Sequence, residues 1–321
     1  MAEILAITGP IYIVIGLGYL SVRLGLFARE DMRVLGRFVV HVPLPAMLFN
    51  AVAQRPITEV LAPDYLLVYA GGSVLAAVLG LAWARRAVAG DLTRQAYFAF
   101  GMSCSNSGFL GFPIALLVVG PVAGMMVGLN VMVENLLLVP FFLALAEAGR
   151  SRADSWQRTL RQSLAGLLRN PMVLGLLAGL VFSLLGWRLP APLARTVDLL
   201  AQVSAPAALF VIGGTLYGLE LRGRVREVAQ ITAGKLLLHP LSVAAVLWLT
   251  ELAGWLTLAP PLRVGAVLLA ACPVMGIYPI VAQRHAQEDT ASAVLLATTV
   301  LSFATISALL ALFNVLPGWR L

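Results

Sequence analysis

Ten apolar runs follow one another along this chain, separated by short stretches in which most of the arginines collect. They fall at about 4–22, 34–53, 64–84, 93–119, 123–146, 170–187, 193–218, 229–250, 261–283 and 291–316. Roughly 20 residues of helix cross the hydrocarbon core of a bilayer, and none of the runs shows the roughly ten-residue alternation of a membrane strand. All ten therefore read as transmembrane helices. Composition supports this, because 60% of the residues are hydrophobic and only 12% charged, too little polar surface for a globule in water. The chain reads as an all-α, multi-pass protein surrounded by lipid. The opening Met-Ala-Glu lacks a basic leader region, so the first run reads as a retained helix.

The net charge of +7 does not point to nucleic acid, since the basic residues lie in loops where the positive-inside rule places them. With ten spans, only Arg55, Arg188, Arg195, Arg263 and Arg320 fall on one face, and the other 17 of the 22 Lys and Arg residues fall on the opposite one. A missing or extra span would swap every later loop and destroy that asymmetry. Both termini are then expected outside the cytoplasm. Residues 149–165 read as a cytoplasmic linker, rich in arginine and carrying Trp156, between a first five-helix repeat (1–148) and a second (166–321).

The halves correspond at an offset of about 161 residues: Gly9-Pro10 falls on Asn170-Pro171, and Pro45-Ala46-Met47-Leu48-Phe49 on Pro206-Ala207-Ala208-Leu209-Phe210. Pro113 in span 4 falls one residue from Pro273 in span 9. Proline is unfavourable inside helices, so its recurrence marks a repeat. An odd number of spans per half makes that repeat inverted, as in many secondary transporters. Span 4 carries Ser103, Cys104, Ser105, Asn106, Ser107, Gly108, Gly111 and Pro113, and span 9 carries Cys272, Pro273, Met275, Gly276, Ile277 and Pro279. Both helices must break there, and a break inside a membrane survives only where partners satisfy the backbone. Inversion sets the breaks against each other, so helices 4 and 9 are expected to cross. Second half-helices starting near Pro113 and Pro279 would aim N–H groups at the crossing, while the first halves end there with free carbonyls. Helix dipoles leave the sign of the ligand open, and Asn106 can donate or accept.

The run Asn106-Ser107-Gly108-Phe109-Leu110-Gly111-Phe112-Pro113 resembles the N-x-G-[FY]-x-G-x-P signature of the auxin efflux carrier family, which includes bacterial malate and malonate permeases. Asn170-Pro171, the run from Pro206 to Phe210 and Thr298-Thr299-Val300-Leu301-Ser302 look like that family too, so the resemblance covers nearly the whole chain. It implies two inverted five-helix repeats, a scaffold and a transport domain, homodimers in a bacterial inner membrane, and an organic anion bound at the crossing. The implied activity is secondary transport of a carboxylate, a dicarboxylate such as malonate or malate ahead of an auxin-like aromatic carboxylate. A ligand sensor on the same fold is the alternative. The candidate substrate contacts are Asn106, Ser107, Gly108, Gly111 and Pro113 with Pro273, Met275, Gly276, Ile277 and Pro279. The second break departs from the family, placing Ile277 and Pro279 where many members carry a polar side chain.

Glu134 and Asn135 lie inside span 5, where an ionised carboxylate costs about 2.5–3.5 kcal/mol on insertion scales. Glu134 reads either as a proton or coupling-cation site or as a neutral acid bonded within the bundle. His41 and Asn50, beside Pro43 and Pro45, read as satisfied interior residues; Lys235 and His239 read as a pair snorkelling to the inner surface. Arg284, His285, Glu288 and Asp289 read as a solvated cap. Cys104 and Cys272 lie in apolar spans and do not suggest a secreted disulfide framework. No nucleotide-binding loop, metal-binding pair or nucleophile elbow occurs, so neither a cofactor nor an enzymatic activity is expected.

Overall fold

The computed structural model describes residues 2–53, 55, 62–88, 90–149, 166, 169–218, 224–315 and 319. Except for Gly149, the 149–165 linker lies outside them, as do Arg222 and Arg320. The helices are α1 (Ala2–Arg23), α2 (Arg29–His41), α3 (Pro43–Ala53), α4 (Pro63–Ala87), α5 (Leu92–Ser103), α6 (Phe112–Val119), α7 (Ala123–Met132) and α8 (Val139–Ala148), then α9 (Pro171–Leu185), α10 (Ala191–Leu216), α11 (Val225–Ala233), α12 (His239–Leu252), α13 (Pro260–Ala270), α14 (Tyr278–Gln283) and α15 (Glu288–Val315).

Among the described residues, six helical stretches are long and apolar enough to cross a membrane: Arg29–Ala53, Pro63–Ala87, Ser107–Ala148, Ala191–Leu216, Val225–Leu252 and Glu288–Val315. Gly9–Arg23, Pro171–Leu185 and Pro260–Ala270 are shorter apolar helices. The protein is thus an all-α, multi-span membrane bundle. Its outward leucines, valines and tryptophans, among them Leu184, Leu241 and Trp248, form the apolar exterior that lipid requires.

Local chemistry sets the helix ends. Asp91 caps α5 by accepting from the Arg94 N–H at 2.9 Å; Asn170 caps α9 by accepting from Met172 at 3.0 Å, with Pro171 in the first turn. Gly186 closes α9 in the left-handed region.

The helices pack in two groups, each drawn from both halves of the chain. One holds α1, α2, α3, α9 and α10, in which α1 lies along α10 and α9 along α3. Glycines bring these axes together: Gly213 of α10 meets the Ile15 carbonyl, and Gly18 of α1 meets the Phe210 carbonyl, leaving no room for a Cβ. The second group holds α4–α8 and α11–α15, with α4 packed between α5 and α12. Where the groups meet, Gly108 faces Met172 and Leu44, Gly124 faces Ala51, and Gly128 faces Leu176.

Three π-helical turns interrupt the second group, at Ser107–Gly111, Val133–Leu138 and Gly234–Leu238. Each is followed within two residues by a proline: Pro113, Pro140 or Pro240. A proline cannot bond the carbonyl four residues back and its ring pushes against it, so the turn before it widens. Each widened turn also carries a polar residue that is buried: Ser107, Glu134 and Lys235.

Candidate functional site

Both expected breaks are present, and they bond to each other. After α5 the chain is extended at Cys104 and Ser105; after α13 it leaves the helix near Ala271. Ser105 and Val274 form an antiparallel bridge, in which Asn106 N–H donates to the Pro273 carbonyl at 2.9 Å and Met275 N–H to the Cys104 carbonyl at 3.2 Å. The hydroxyl of Thr298 accepts from Val274 N–H at 3.3 Å. The two breaks therefore supply partners for backbone that hydrocarbon could not satisfy.

On the first break, Asn106 Oδ1 accepts from Phe109 N–H at 3.3 Å, and its backbone carbonyl accepts from Gly111 N–H at 2.9 Å. Helical structure resumes at Ser107, ahead of Pro113, because the Asn106 side chain caps the widened turn. With Oδ1 turned to Phe109, Nδ2 lies toward Gly276, 3.6 Å from where a Cβ would stand. Gly276 and Ile277 are exposed, Pro279 is half-buried, and Pro273 and Met275 are buried. Gly111 packs against Leu269 and Cys272, so it provides close approach between the two broken helices, and Pro113 is buried in α6. On the second break, Pro279 stands in the first turn of α14, and Tyr278 donates its hydroxyl to the Tyr97 carbonyl at 2.8 Å.

Glu134 faces the first break. Its Oε1 accepts from Ser107 Oγ at 2.8 Å and from Tyr69 Oη at 2.9 Å. One turn earlier, Asn130 Oδ1 accepts from Tyr65 Oη at 2.9 Å, so two tyrosines of α4 meet two polar residues of the fifth apolar run in parallel rungs. Asn130 is fully buried, and its Nδ2 has no hydrogen-bond partner among the described residues. Asn135 instead donates to the Val131 carbonyl of its own turn at 2.9 Å, outside these contacts.

Lys235 does not snorkel. It is fully buried, and its Nζ donates to the Ala270 carbonyl at 2.7 Å and to Ser105 Oγ at 3.0 Å, with His239 Nδ1 at 3.1 Å. The other ring nitrogen of His239 meets Ser73 Oγ at 3.0 Å. The sequence signal for this arrangement is a polar residue five or six positions before a proline in an apolar run, as in Lys235 to Pro240, Glu134 to Pro140 and Ser107 to Pro113. Read as loop charge, Lys235 gives no hint of it.

The C-terminal end of α14 departs from a solvated cap as well. His285 is buried, with Nδ1 2.8 Å from Tyr97 Oη and Nε2 3.3 Å from Glu147 Oε1; Arg284, Glu288 and Asp289 are exposed. His41 is exposed, with Nδ1 2.8 Å from the carbonyl of Arg37, and Asn50 donates to Asp198 at 2.7 Å. Asn50 and Asp198 line a cleft of about 640 Å³ between α3, α9 and α10 that also contains Arg55 and Arg188.

A multi-span helical bundle whose two broken helices hydrogen-bond at a buried polar centre is built as a membrane transporter. Residues 7–310 match the family described as membrane transport protein, and the chain belongs to that family. It is 33% identical over 321 residues, 98% of its own length and 97% of the relative's, to a protein of Rhizobium meliloti (strain 1021) provisionally named malonate transporter. An uncharacterized transporter of Escherichia coli (strain K12) is 26% identical over 241 residues, covering 74% of this chain and 76% of that protein. Another uncharacterized transporter, from Methanothermobacter thermautotrophicus, is 24% identical over 255 residues, covering 76% and 78%. Membership places this chain among transporters rather than enzymes.

Proposed function

We propose that this protein is a secondary carrier of a small dicarboxylate, malonate or a close analogue, working by alternating access. The observation that carries the reading is Asn106: its oxygen is committed to Phe109 N–H, and its amide nitrogen lies toward the exposed Gly276. A donor at that position, beside the first-turn N–H groups of Ser107 and Gly108, suits a carboxylate. The Rhizobium relative's name supports malonate.

The same proposal takes the chain as ten crossings in two inverted repeats, with α5/α6 and α13/α14 as the broken pair and α2–α3, α7–α8 and α11–α12 each serving as one crossing. The two packed groups then act as scaffold (α1–α3, α9, α10) and transport domain. The glycine-lined contact between them supports relative sliding, because small residues leave few interlocked side chains there. Termini outside the cytoplasm follow from the arginine asymmetry, and a homodimer in a bacterial cell membrane rests on the family resemblance alone. The substrate contacts proposed are Asn106, Ser107, Gly276 and Ile277, with Gly108, Gly111, Pro113, Pro273, Met275 and Pro279 shaping the crossing and Glu134 as the site of a coupling proton.

The test is uptake of labelled malonate by purified protein in liposomes, competed with malate, succinate and indole acetate. Saturable uptake blocked by small dicarboxylates is expected. Binding without flux would make the protein a sensor, and block by indole acetate alone would move the substrate to aromatic carboxylates.

A further inference from the structure

Two helices, α5 and α13, end at the crossing. Each C-terminus carries unsatisfied carbonyls and the negative end of a helix dipole, so two that meet inside a membrane protein call for a positive charge. The Lys235 ammonium stands there. It arrives from the widened turn before Pro240, and Gly234 beside it lets that turn approach α5, since a Cβ would come 2.5 Å from Met102. Its partners are the Ala270 carbonyl, which belongs to the last residue of α13, and Ser105, two residues beyond α5. The third is His239 Nδ1, which accepts, so the opposite nitrogen carries the ring proton and donates it to Ser73. Three N–H groups thus meet three acceptors, and none is left for a substrate. Among the described residues no carboxylate forms an ion pair with Lys235.

We propose that Lys235 is a tethered cation, doing at this crossing what a bound sodium ion would otherwise do: it ties the carbonyl end of α13 to Ser105 in the break that follows α5. Lys235 is a positioning residue and does not touch the carried anion. One nitrogen and two oxygen acceptors suit an ammonium better than a hard metal ion, which takes an all-oxygen shell. The inference rests on the carrier reading only for its transport consequence, that exchange of the anion needs no sodium.

Two measurements test it. In liposomes, malonate exchange by the wild-type protein should proceed at the same rate in sodium, potassium and choline salts, while Lys235→Met lowers it about ten- to a hundredfold, as expected for losing charged hydrogen bonds. In detergent, wild-type thermal stability should be indifferent to replacing choline with sodium. Lys235→Ala should melt lower and be restored by propylammonium, which refills the space with an ammonium, but not by tetramethylammonium, which brings charge without donors. Sodium-dependent exchange or melting in the wild type, full exchange by Lys235→Met, or an alanine variant indifferent to propylammonium would overturn the proposal. Absence of exchange in every salt would defeat the carrier reading instead, and the melting measurements would still decide the role of Lys235.

Discussion

Asn106 combines two tasks at one position, since its oxygen caps the turn that restarts the helix and its nitrogen faces the exposed residues of the second break. Substitutions can separate them. Asn106→Asp keeps an acceptor for Phe109 N–H and removes the donor, so the protein should fold and melt normally yet lose most of its malonate flux, by about tenfold or more. Asn106→Ala should lose both the flux and the cap, the latter worth about 1 kcal/mol. Wild-type uptake by the aspartate variant would remove the donor role. Glu134 poses a different question, because hydroxyls of Ser107 and Tyr69 already satisfy one of its oxygens. A carboxylate that carries a proton across the membrane is needed for uptake driven by a proton gradient but not for exchange at equal pH on both sides. Glu134→Gln should therefore retain exchange and lose the response to an imposed gradient. A response equal to the wild type's would make Glu134 a structural acid.

Helix breaks and buried polar contacts leave unequal traces in the sequence. Glycine and proline placement makes both breaks legible from Asn106 to Pro113 and from Cys272 to Pro279, because few other residues leave a helix inside a membrane so visibly. The polar lining is less legible. Lys235, Ser105 and the α4 pair Tyr69 and Ser73 come from three separate stretches of chain, and their meeting depends on how α4, α5, α11 and α12 pack. Widened turns are hidden as well, since a proline in an apolar run reads equally well as a kink. The turn Gly234–Leu238 offers a test of that link. Pro240→Ala removes the ring that pushes on the preceding carbonyl, lets the turn tighten, and rotates Lys235 relative to α12. Expected is a protein at least as stable as the wild type, since interior proline is costly, with slower malonate exchange. Unchanged exchange would mean that packing, and not Pro240, sets the position of Lys235.

For the whole molecule, the grouping of helices matters more than their order. Neither packed group is a contiguous half of the chain: α9 and α10 join α1–α3, whereas α4–α8 join α11–α15. Alternating access needs one group to move against the other, and the glycine-lined contact between α3 and α7 lies on that boundary. A Cβ on Gly124 would stand 2.5 Å from that of Ala51, and an outward shift of about 1–2 Å brings the pair to disulfide separation. The double variant Ala51→Cys/Gly124→Cys should therefore cross-link on mild oxidation. Cys104 and Cys272 are both buried and should not compete. Oxidised carrier should stop exchanging malonate while still binding it, and a reducing agent should restore exchange. The same variant kept reduced controls for the effect of the substitutions themselves. A cross-linked protein that exchanges at the reduced rate would show that this contact does not slide, and the moving boundary would then have to lie elsewhere among the helices.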